Sequence, residues 1–338
     1  MKVRKLEKND LEELIKFNKI IFPKRNMTEE YFRIRLQKNE NEIDLFSQSL
    51  IAVNDTEEII GQILMMPSKF NYKGNIQTAF WGMDYIVDEK YRGSPIGTIL
   101  CKKALKTEFH FGVGLSENSL AIHQTFGEKI IGQLSKYIRL TNVFSILNFI
   151  FPRKNTTTKF DFPENLKLRN SSFKLVDNPD EILSGNGFWN NNQLEFERDN
   201  SFIKWRYFHY KNKYFIYKLV STDKKDNLTS FFVLRPIIWK KANCLLLVDY
   251  RITNENNFSE IIKASKKIAQ QLKFSAIITG CSLPSLTKKL KKNFFFKFGE
   301  HLDIVSNYKS FNNEFDNDNV LVTFGDSDCD FYYGNDKW

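Results

Sequence analysis

The sequence predicts an α/β fold built on mixed sheets, and three observations lead to this prediction. Short runs of β-type composition alternate with amphipathic helical patterns along the chain. Hydrophobic residues make up 42% of the 338 residues, which is enough to bury sizeable cores. The order hairpin, strand, helix, strand, helix occurs twice, once in each half. We therefore expect two domains in tandem, each a twisted mixed sheet flanked by helices.

The first half begins with a strand and two helices. A short strand over residues 2–6 precedes Asp10, whose carboxylate is a favourable N-cap for a helix that begins at Leu11. A second helix is expected from Thr28, because two glutamates follow it in the first turn. The next elements are a hairpin over 50–53 and 59–66, a strand over 78–86, a helix over 96–105, a strand over 109–115 and a helix over 118–126.

The composition changes between residues 152 and 172, where prolines, a threonine run and polar residues are typical of a linker. This change predicts one domain over 1–152, a linker over 153–172 and a second domain over 173–338. The second domain is expected to contain a hairpin over 214–220 and 230–234, a strand over 244–250, a helix over 258–272, a strand over 275–280 and a helix over 286–290.

Charge, cysteine content and hydropathy exclude several classes of function. The net charge is +10, but the lysine pairs lie on helical patterns and are expected to be solvated, so we expect no nucleic-acid partner. None of the four cysteines belongs to a C-x-x-C pair, and with only four histidines we expect no bound metal. Unpaired cysteines and the lack of a signal peptide predict a cytoplasmic protein. The most apolar run, residues 142–151, is shorter than the roughly 20 residues of a membrane span, so none is expected.

A basic turn that contains glycines joins the predicted strand 78–86 to the predicted helix 96–105. Residues 87–98 read VDEKYRGSPIGT. In a strand, turn and helix of this kind, the N–H groups of the turn and the positive end of the helix dipole favour a phosphate group. The spelling matches neither the P-loop nor the dinucleotide-binding glycine motif. The alternative is an ordinary turn that uses glycines for its geometry.

Within this turn, Arg92-Gly93-Ser94-Pro95-Ile96-Gly97 resembles the CoA-binding signature [R/Q]-x-x-G-x-[G/A] of the GCN5-related N-acetyltransferases. The order of elements over residues 1 to about 140 is also similar to that family, most closely to its tandem two-domain form. The chain departs from the signature at Pro95, which replaces the middle glycine. The resemblance implies that an acyl group passes from acetyl-CoA or another acyl-CoA to an amine. It implies CoA contacts from Tyr85, Ile86, Val87, Arg92, Gly93, Ser94, Ile96, Gly97, Thr98 and Asn118.

The resemblance also implies positions for catalytic groups. Four residues before Gly127, where the family often has the tyrosine that protonates the leaving thiolate, this chain has His123. An imidazole can act as an acid or a base near neutral pH. Asp84 and Glu117 are the candidate bases for the amine, and a backbone N–H at the end of the preceding strand is the candidate oxyanion donor. Structural roles are the alternatives for all three side chains.

The second half has no counterpart of the phosphate turn, so it is expected to bind the acceptor. Trp205-Arg206-Tyr207 resembles a segment of tandem enzymes of this family that acylate amino sugars carried on nucleotides. The acceptor implied is a dTDP- or UDP-linked amino sugar for surface polysaccharide. Trp81 is assigned to the same substrate. The alternative for the segment is an aromatic helix face packed in the core, with Arg206 in a salt bridge.

Two further functions remain open. One is the transfer of amino acids from aminoacyl-tRNA to a cell-wall peptide by the other kind of tandem enzyme, which does not need a CoA turn. The other is a non-catalytic binding module of the same fold, which Pro95 and the missing tyrosine would suit.

Overall fold

The structure is a computed structural model, and it describes residues 1–23, 25, 27–36, 48–107, 109–151, 160–182, 190, 193–209, 213–220, 230–308 and 319–332. Among these residues, strands and helices form a large mixed sheet flanked by helices, as the sequence predicts. The elements of the first half are β1 (Lys2–Lys5), α1 (Leu11–Ile21), α2 (Glu29–Leu36), β2 (Leu50–Val53), β3 (Ile59–Tyr72), β4 (Asn75–Val87), α3 (Ile96–Ala104), β5 (His110–Val113), α4 (Glu117–Thr125), β6 (Lys129–Leu140) and α5 (Leu147–Ile150).

The second half continues the same alternation. Its elements are β7 (Asn165–Lys167), β8 (Ser172–Leu175), β9 (Leu194–Phe196), α6 (Asn200–Ile203), β10 (Phe215–Leu219), β11 (Phe231–Trp239), β12 (Ala242–Arg251), α7 (Glu255–Gln271), β13 (Ala276–Cys281), α8 (Pro284–Lys292), β14 (Phe296–Lys297), β15 (Leu302–Ser306) and β16 (Val320–Leu321). Residues 152–159 of the boundary region lie outside the described residues. In the described part of the predicted linker, β7 pairs with β8 and extends the sheet. The boundary itself stays a prediction.

Capping residues account for small differences between predicted and observed ends. The helix predicted over 258–272 is α7, which begins earlier because Asn254 caps it. The side-chain oxygen of Asn254 accepts hydrogen bonds from the N–H groups of Asn256 at 3.0 Å and Asn257 at 3.2 Å. These bonds satisfy two of the donors that a helix leaves free at its first turn.

One hydrogen-bonded path of strands runs through both halves, in the order β1-β2-β3-β4-β5-β15-β6-β13-β12-β11-β10-β8-β7. On this path β4 is parallel to β5, and β12 is parallel to β13. The two halves exchange strands where they meet. The late strand β15 pairs with both β5 and β6, and β6 in turn pairs with β13. The chain therefore builds one sheet from two similar sets of elements.

The central strands are buried on both faces, as the apolar composition of residues 244–250 predicts. In β12, Cys244 and Leu246 belong to one core, whereas Leu245 and Leu247 belong to the other. The first of these cores extends from Leu6 through both halves to the C-terminal segment 319–332. The sheet and this shared core hold that segment in the interior of the protein.

No helix in the described part of the chain is both long and apolar enough to cross a membrane. The apolar run noted in the sequence forms short helical turns at the surface. Its side chains at Val143, Phe144 and Phe151 are 83%, 78% and 70% exposed.

Candidate active site

A cavity of about 210 Å³ lies where the parallel strands β4 and β5 separate. The two strands pair at Phe80 with His110 and at Trp81 with Phe111. Beyond these pairs, the register of β4 against β3 shifts, and Asp84 adopts a φ of +46°. Such a bulge bends a strand and re-aims its side chains. The facing edges of β4 and β5 line the cavity from this point on.

Two buried histidines on this cavity share one carboxylate. Nδ1 of His110, at the start of β5, lies 2.5 Å from Oε1 of Glu128. Nδ1 of His123, in the last turn of α4, lies 2.6 Å from Oε2 of the same side chain. An ionised carboxylate only accepts hydrogen bonds, so both Nδ1 atoms donate. In a neutral imidazole the other nitrogen, Nε2, then has the lone pair. Neither Nε2 has a hydrogen-bond partner among the described residues, and both atoms are buried.

The end of α4 places Glu128 beneath His123. Ser116 caps the start of this helix, because its hydroxyl accepts a hydrogen bond from the N–H of Ser119 at 3.3 Å. The helix ends at Thr125, and Gly127, two residues later, has a φ of +93°. Glycine adopts this left-handed conformation without the steric cost that other residues meet. The chain reverses there, and the N–H of Glu128 donates to the carbonyl of His123 at 3.2 Å.

The environment of Glu128 keeps its carboxylate ionised. Burial alone would raise the pKa of Glu128, but the electrostatic attraction and hydrogen bonds of His110 and His123 outweigh burial and lower the pKa to about 2. Within the described residues, these three side chains form a group with ligand atoms close enough to suggest a metal ion. However, their N···O distances are those of direct hydrogen bonds, and an ion needs about 2.0–2.2 Å to each ligand atom. The arrangement fits a proton relay better than a metal centre.

Two aspartates from distant parts of the chain also line the cavity. Oδ1 of Asp84 accepts a hydrogen bond from Nη1 of Arg25 at 2.7 Å. Oδ2 of Asp84 is buried and has no partner in the described part of the chain. Asp328, from the C-terminal segment, is only 5% exposed. Burial and the neighbouring Asp84 carboxylate raise the pKa of Asp328 to about 6, although nearby arginines oppose this effect.

The turn between β4 and α3 has the geometry of an anion site. Gly93 has a φ of +84°, which favours glycine, and Ser94 Oγ donates to the carbonyl of Tyr91 at 2.6 Å. The helix that begins at Ile96 has neither a side-chain cap nor an acidic residue in its first turn. Its first N–H groups therefore remain available, and the helix dipole favours an anion there. The turn also presents the exposed side chains of Arg92 and Thr98.

Tyr85 links this turn to the histidine pair. A Cβ atom on Gly97 would lie 3.2 Å from Tyr85 Oη and 3.6 Å from Val87 Cγ2, so the helix start packs closely on β4. The ring of Tyr85 meets the ring of His123 edge-on, with 5.5 Å between centroids. Burial raises the pKa of Tyr85, which keeps its hydroxyl protonated. Ile86 lines the cavity beside it. The predicted CoA contacts of β4 and the turn thus lie next to His123.

Three other predicted site residues lie elsewhere. Glu117 and Asn118 are exposed in the first turn of α4 and do not line the cavity. Trp81 is fully buried, and its ring packs on that of Phe196 with 4.6 Å between centroids. Neighbouring side chains of β4 alternate between the two faces of the sheet, so Trp81 lies in the core.

Trp205, Arg206 and Tyr207 also belong to the core, which is the alternative named for them above. All three side chains are at most 3% exposed and lie in a π-helical turn. Nη2 of Arg206 donates to Oδ1 of Asp330 at 2.7 Å, and Oη of Tyr207 donates to Oδ2 of Asp249 at 2.9 Å. The segment therefore anchors the C-terminal segment and presents no side chain to an acceptor.

Sequence reasoning missed three residues of the site. His110 stands between two phenylalanines in a strand pattern, where a polar side chain needs a partner, and this was an available signal. Glu128 directly follows the glycine after α4. For Asp328 the signal was weaker: an alternation of three aspartates within an otherwise small and apolar stretch.

Comparisons with known proteins show the fold. No protein-family model and no curated protein sequence matches the chain. A GCN5-related N-acetyltransferase from Anabaena variabilis superposes with a TM-score of 0.58 at 12% identity, over 90% of this chain and 71% of that one. An N-myristoyltransferase from Saccharomyces cerevisiae with bound myristoyl-CoA gives a TM-score of 0.57 at 12% identity, over 90% and 82%. A protein from Enterococcus faecalis described as a probable N-acyltransferase gives 0.56 at 12% identity, over 90% and 71%. The chain has the fold of these proteins, which the resemblance of its turn predicted.

Proposed function

We propose that this protein is an acyl-CoA-dependent N-acyltransferase that moves an acetyl or other short acyl group onto an amine. One observation carries the proposal: the cavity between β4 and β5 combines unpartnered, buried imidazole nitrogens with an uncapped helix start next to it. The likeness to acyltransferase structures supports the same reaction. The amine as acceptor and the role of each residue are part of the proposal.

The turn would hold the CoA diphosphate. The N–H groups of Gly93 and of the first turn of α3 offer donors, and Arg92 adds a positive charge. Pro95 removes one donor from the signature, but it stands at the start of the helix, where a missing N–H costs little. The acyl group and thioester would enter the cavity past Tyr85 and Ile86.

The cavity supplies the groups that the transfer requires. The amine nitrogen attacks the thioester carbonyl carbon, and a backbone N–H near Tyr85 or Ile86 stabilises the oxygen that becomes negative. His123 Nε2 takes a proton from the attacking nitrogen. When the C–S bond breaks, the same imidazole returns that proton to the thiolate. Glu128 keeps the proton on Nδ1 and stabilises the charged imidazole while it exists. Holding the two reactants together would supply much of the rate.

The class of acceptor that the sequence resemblance implies is narrower than the class that the structure supports. A nucleotide-linked amino sugar was inferred from Trp205–Tyr207, and that segment is buried. An amino sugar therefore stays in the proposal only as one class of amine to be tested. A screen of acyl-CoAs against amines, with nucleotide-linked amino sugars among them, would identify the pair by the mass of the product.

Binding of acetyl-CoA tests the proposal directly. We expect acetyl-CoA to raise the melting temperature, because a ligand that binds only the folded state stabilises it. The double variant Arg92→Glu with Gly97→Glu should lose this effect. Lys102→Glu is the control for the charge reversal at Arg92, because it also replaces a positive by a negative side chain, at an exposed position of α3 away from its N-terminus. Equal stabilisation of the double variant and the control would refute the CoA turn. No stabilisation of the unmodified protein would refute the proposed function and favour a binding module without acyl-CoA chemistry.

A further inference from the structure

The C-terminal segment 319–332 brings one carboxylate of the second half into the cavity of the first half. The two aspartates that flank it are fixed by buried arginines. Oδ2 of Asp326 accepts from Nη2 of Arg198 at 2.7 Å, and Oδ1 of Asp330 accepts from Nη2 of Arg206 at 2.7 Å. Between them, Asp328 lines the cavity that also contains the histidine pair. Anchors on both sides of Asp328 hold it in place.

Asp328 differs from its neighbours because its carboxylate has no counter-ion in contact. Within the described residues it accepts no hydrogen bond and makes no ion pair, although it is only 5% exposed. Oδ2 of Asp84, in the same cavity, is also buried without a partner. A buried carboxylate oxygen without a partner is costly. Asp328 without a partner, beside Asp84 with one oxygen still unpaired, therefore indicates a site for a group that donates hydrogen bonds and carries positive charge.

We propose that Asp328, with Asp84 beside it, receives the acceptor as an ammonium ion and removes its first proton. This inference rests on the proposed acyltransferase function and adds the acceptor class: a primary amine that is protonated in solution, selected against alcohols and thiols of similar size. An alcohol offers one donor and no charge to two carboxylates, whereas an ammonium group offers three donors and a charge.

The proton balance of the reaction requires two acceptors, and the cavity offers both. The ammonium nitrogen loses its first proton to Asp328, which leaves a neutral amine. After the amine attacks the thioester, its nitrogen loses a second proton to His123 Nε2, and the departing thiolate takes that proton. The products are the amide, CoA with its thiol, and one proton, which Asp328 releases to solvent when the product leaves.

The charged groups around Asp328 leave it able to exchange a proton. Those that act on it are Asp84 on β4, Arg25 after α1, Arg35 on α2 and Asp330 on its own segment, while His110 and His123 line the same cavity. Burial and the two aspartates raise the pKa of Asp328, the arginines lower it, and the result is about 6. The carboxylate of Asp328 is therefore mostly ionised at pH 7, and its pKa is close enough to neutral pH for it to take up and release a proton readily.

The test compares Asp328→Asn with Asp326→Asn, the same change two residues earlier on the same segment. The probe is n-butylamine with saturating acetyl-CoA, read by thiol release and by the mass of the product between pH 6 and pH 9. The unmodified enzyme should show kcat/KM nearly independent of pH above about pH 7. Asp328→Asn should lose about 100-fold at pH 7 and regain about tenfold per pH unit, because it depends on free amine from solution. Asp326→Asn should melt at a lower temperature but keep the flat profile, since it disturbs the contacts with Arg198 and Thr323, and Asp326 does not line the cavity.

A binding measurement covers the case in which n-butylamine is a poor substrate. n-Butylammonium chloride should raise the melting temperature of the unmodified protein in the presence of CoA, n-butanol should not, and Asp328→Asn should show no difference between the two. The inference is overturned if n-butylammonium does not stabilise the unmodified protein, or if Asp328→Asn keeps the stabilisation and the flat pH profile. Acetyl-CoA binding that persists in these cases leaves the proposed function standing. If acetyl-CoA does not bind to the unmodified protein, the proposed function itself is overturned.

Discussion

Replacing Glu128 by glutamine should lower the stability of the folded protein and also disrupt the proposed proton relay. The carboxylate accepts one hydrogen bond from each imidazole. An amide of the same shape has one oxygen and one NH₂ group, so it can accept from only one histidine. The other histidine must move its proton from Nδ1 to Nε2 in order to accept from the NH₂ group. That histidine then no longer has an Nε2 lone pair on the cavity.

The size of the effect on stability follows from the pKa of Glu128. That pKa is about 2 in the folded protein, against an ordinary value of 4.5. At about 1.4 kcal/mol per pKa unit, the difference corresponds to about 3 kcal/mol of stability at pH 7. Because the folded pKa is the lower one, this contribution is complete above the ordinary value and is lost as the pH falls toward 2. For a chain of 338 residues, about 3 kcal/mol lowers the melting temperature by about 4 °C.

Thermal and urea unfolding of both proteins between pH 7 and pH 3 would test this reasoning. We expect Glu128→Gln to be less stable by about 3 kcal/mol at pH 7 and by less than half of that at pH 3, because the native protein loses the contribution and the variant has none to lose. Glu117→Gln, an exposed change on the adjacent helix, should stay within about 0.5 kcal/mol of the unmodified protein at each pH. Equal stabilities at pH 7, or a difference that does not shrink on acidification, would refute the ionised carboxylate between two donors.

Three further changes test one contact in the cavity and two contacts that hold the C-terminal segment. Gly82→Ala would place a Cβ atom 2.5 Å from Nε2 of His110 and should therefore displace that ring. The variant should have a lower melting temperature, and its kcat should fall more than its affinity for acyl-CoA. A normal kcat would contradict this packing of Gly82 on His110. Gly325→Ala would place a Cβ atom 2.2 Å from Oη of Tyr207 and should cost about 1–3 kcal/mol in urea unfolding, whereas an unchanged midpoint would show that the segment lies elsewhere. Arg206→Met should cost about 3 kcal/mol by the same measurement, because it removes the closer of two arginines that pair with the buried Asp330 and leaves Arg235 at 3.4 Å. A neutral effect would mean that solvent reaches that aspartate.

Local sequence patterns predicted most of the fold because the elements of this chain carry their own signals. Period-2 and helical patterns, together with capping residues such as Asn254 and Gly127, mark where strands and helices begin and end. The exchange of strands between the halves was not predictable in this way. The pairing of β15 with β5 joins residues about 190 apart, such as Val305 and Gly112, and neither strand carries a local signal for its partner.

The difference between local signals and long-range contacts also explains which residues of the site could be predicted from the sequence. His123 and the turn proposed to bind CoA lie on one continuous stretch, so a motif could indicate them. Asp328 meets that stretch only after the second half has folded back onto the first half. Trp205–Tyr207 was misleading for a related reason, because its aromatic and basic side chains suit a ligand-binding surface and a buried anchor equally well. Only the position of the acidic C-terminal segment decides between these uses.

The C-terminal segment makes the two halves interdependent at the site. Burying Asp326 and Asp330 is favourable only where Arg198 and Arg206 are already in place, since either charge alone would be costly in the interior. Both arginines come from the second half, yet the carboxylate held between these anchors lines a cavity built from β4, β5 and α4. The histidine pair and the turn proposed to bind CoA consist of first-half residues, although Ser306 and Asn307 hold the backbone of His110. The carboxylate proposed to receive the amine comes from the second half. Thioester and amine would accordingly be bound by groups from opposite halves of the chain, and any ligand that contacts Asp328 stabilises the docking of the second half as well as its own binding.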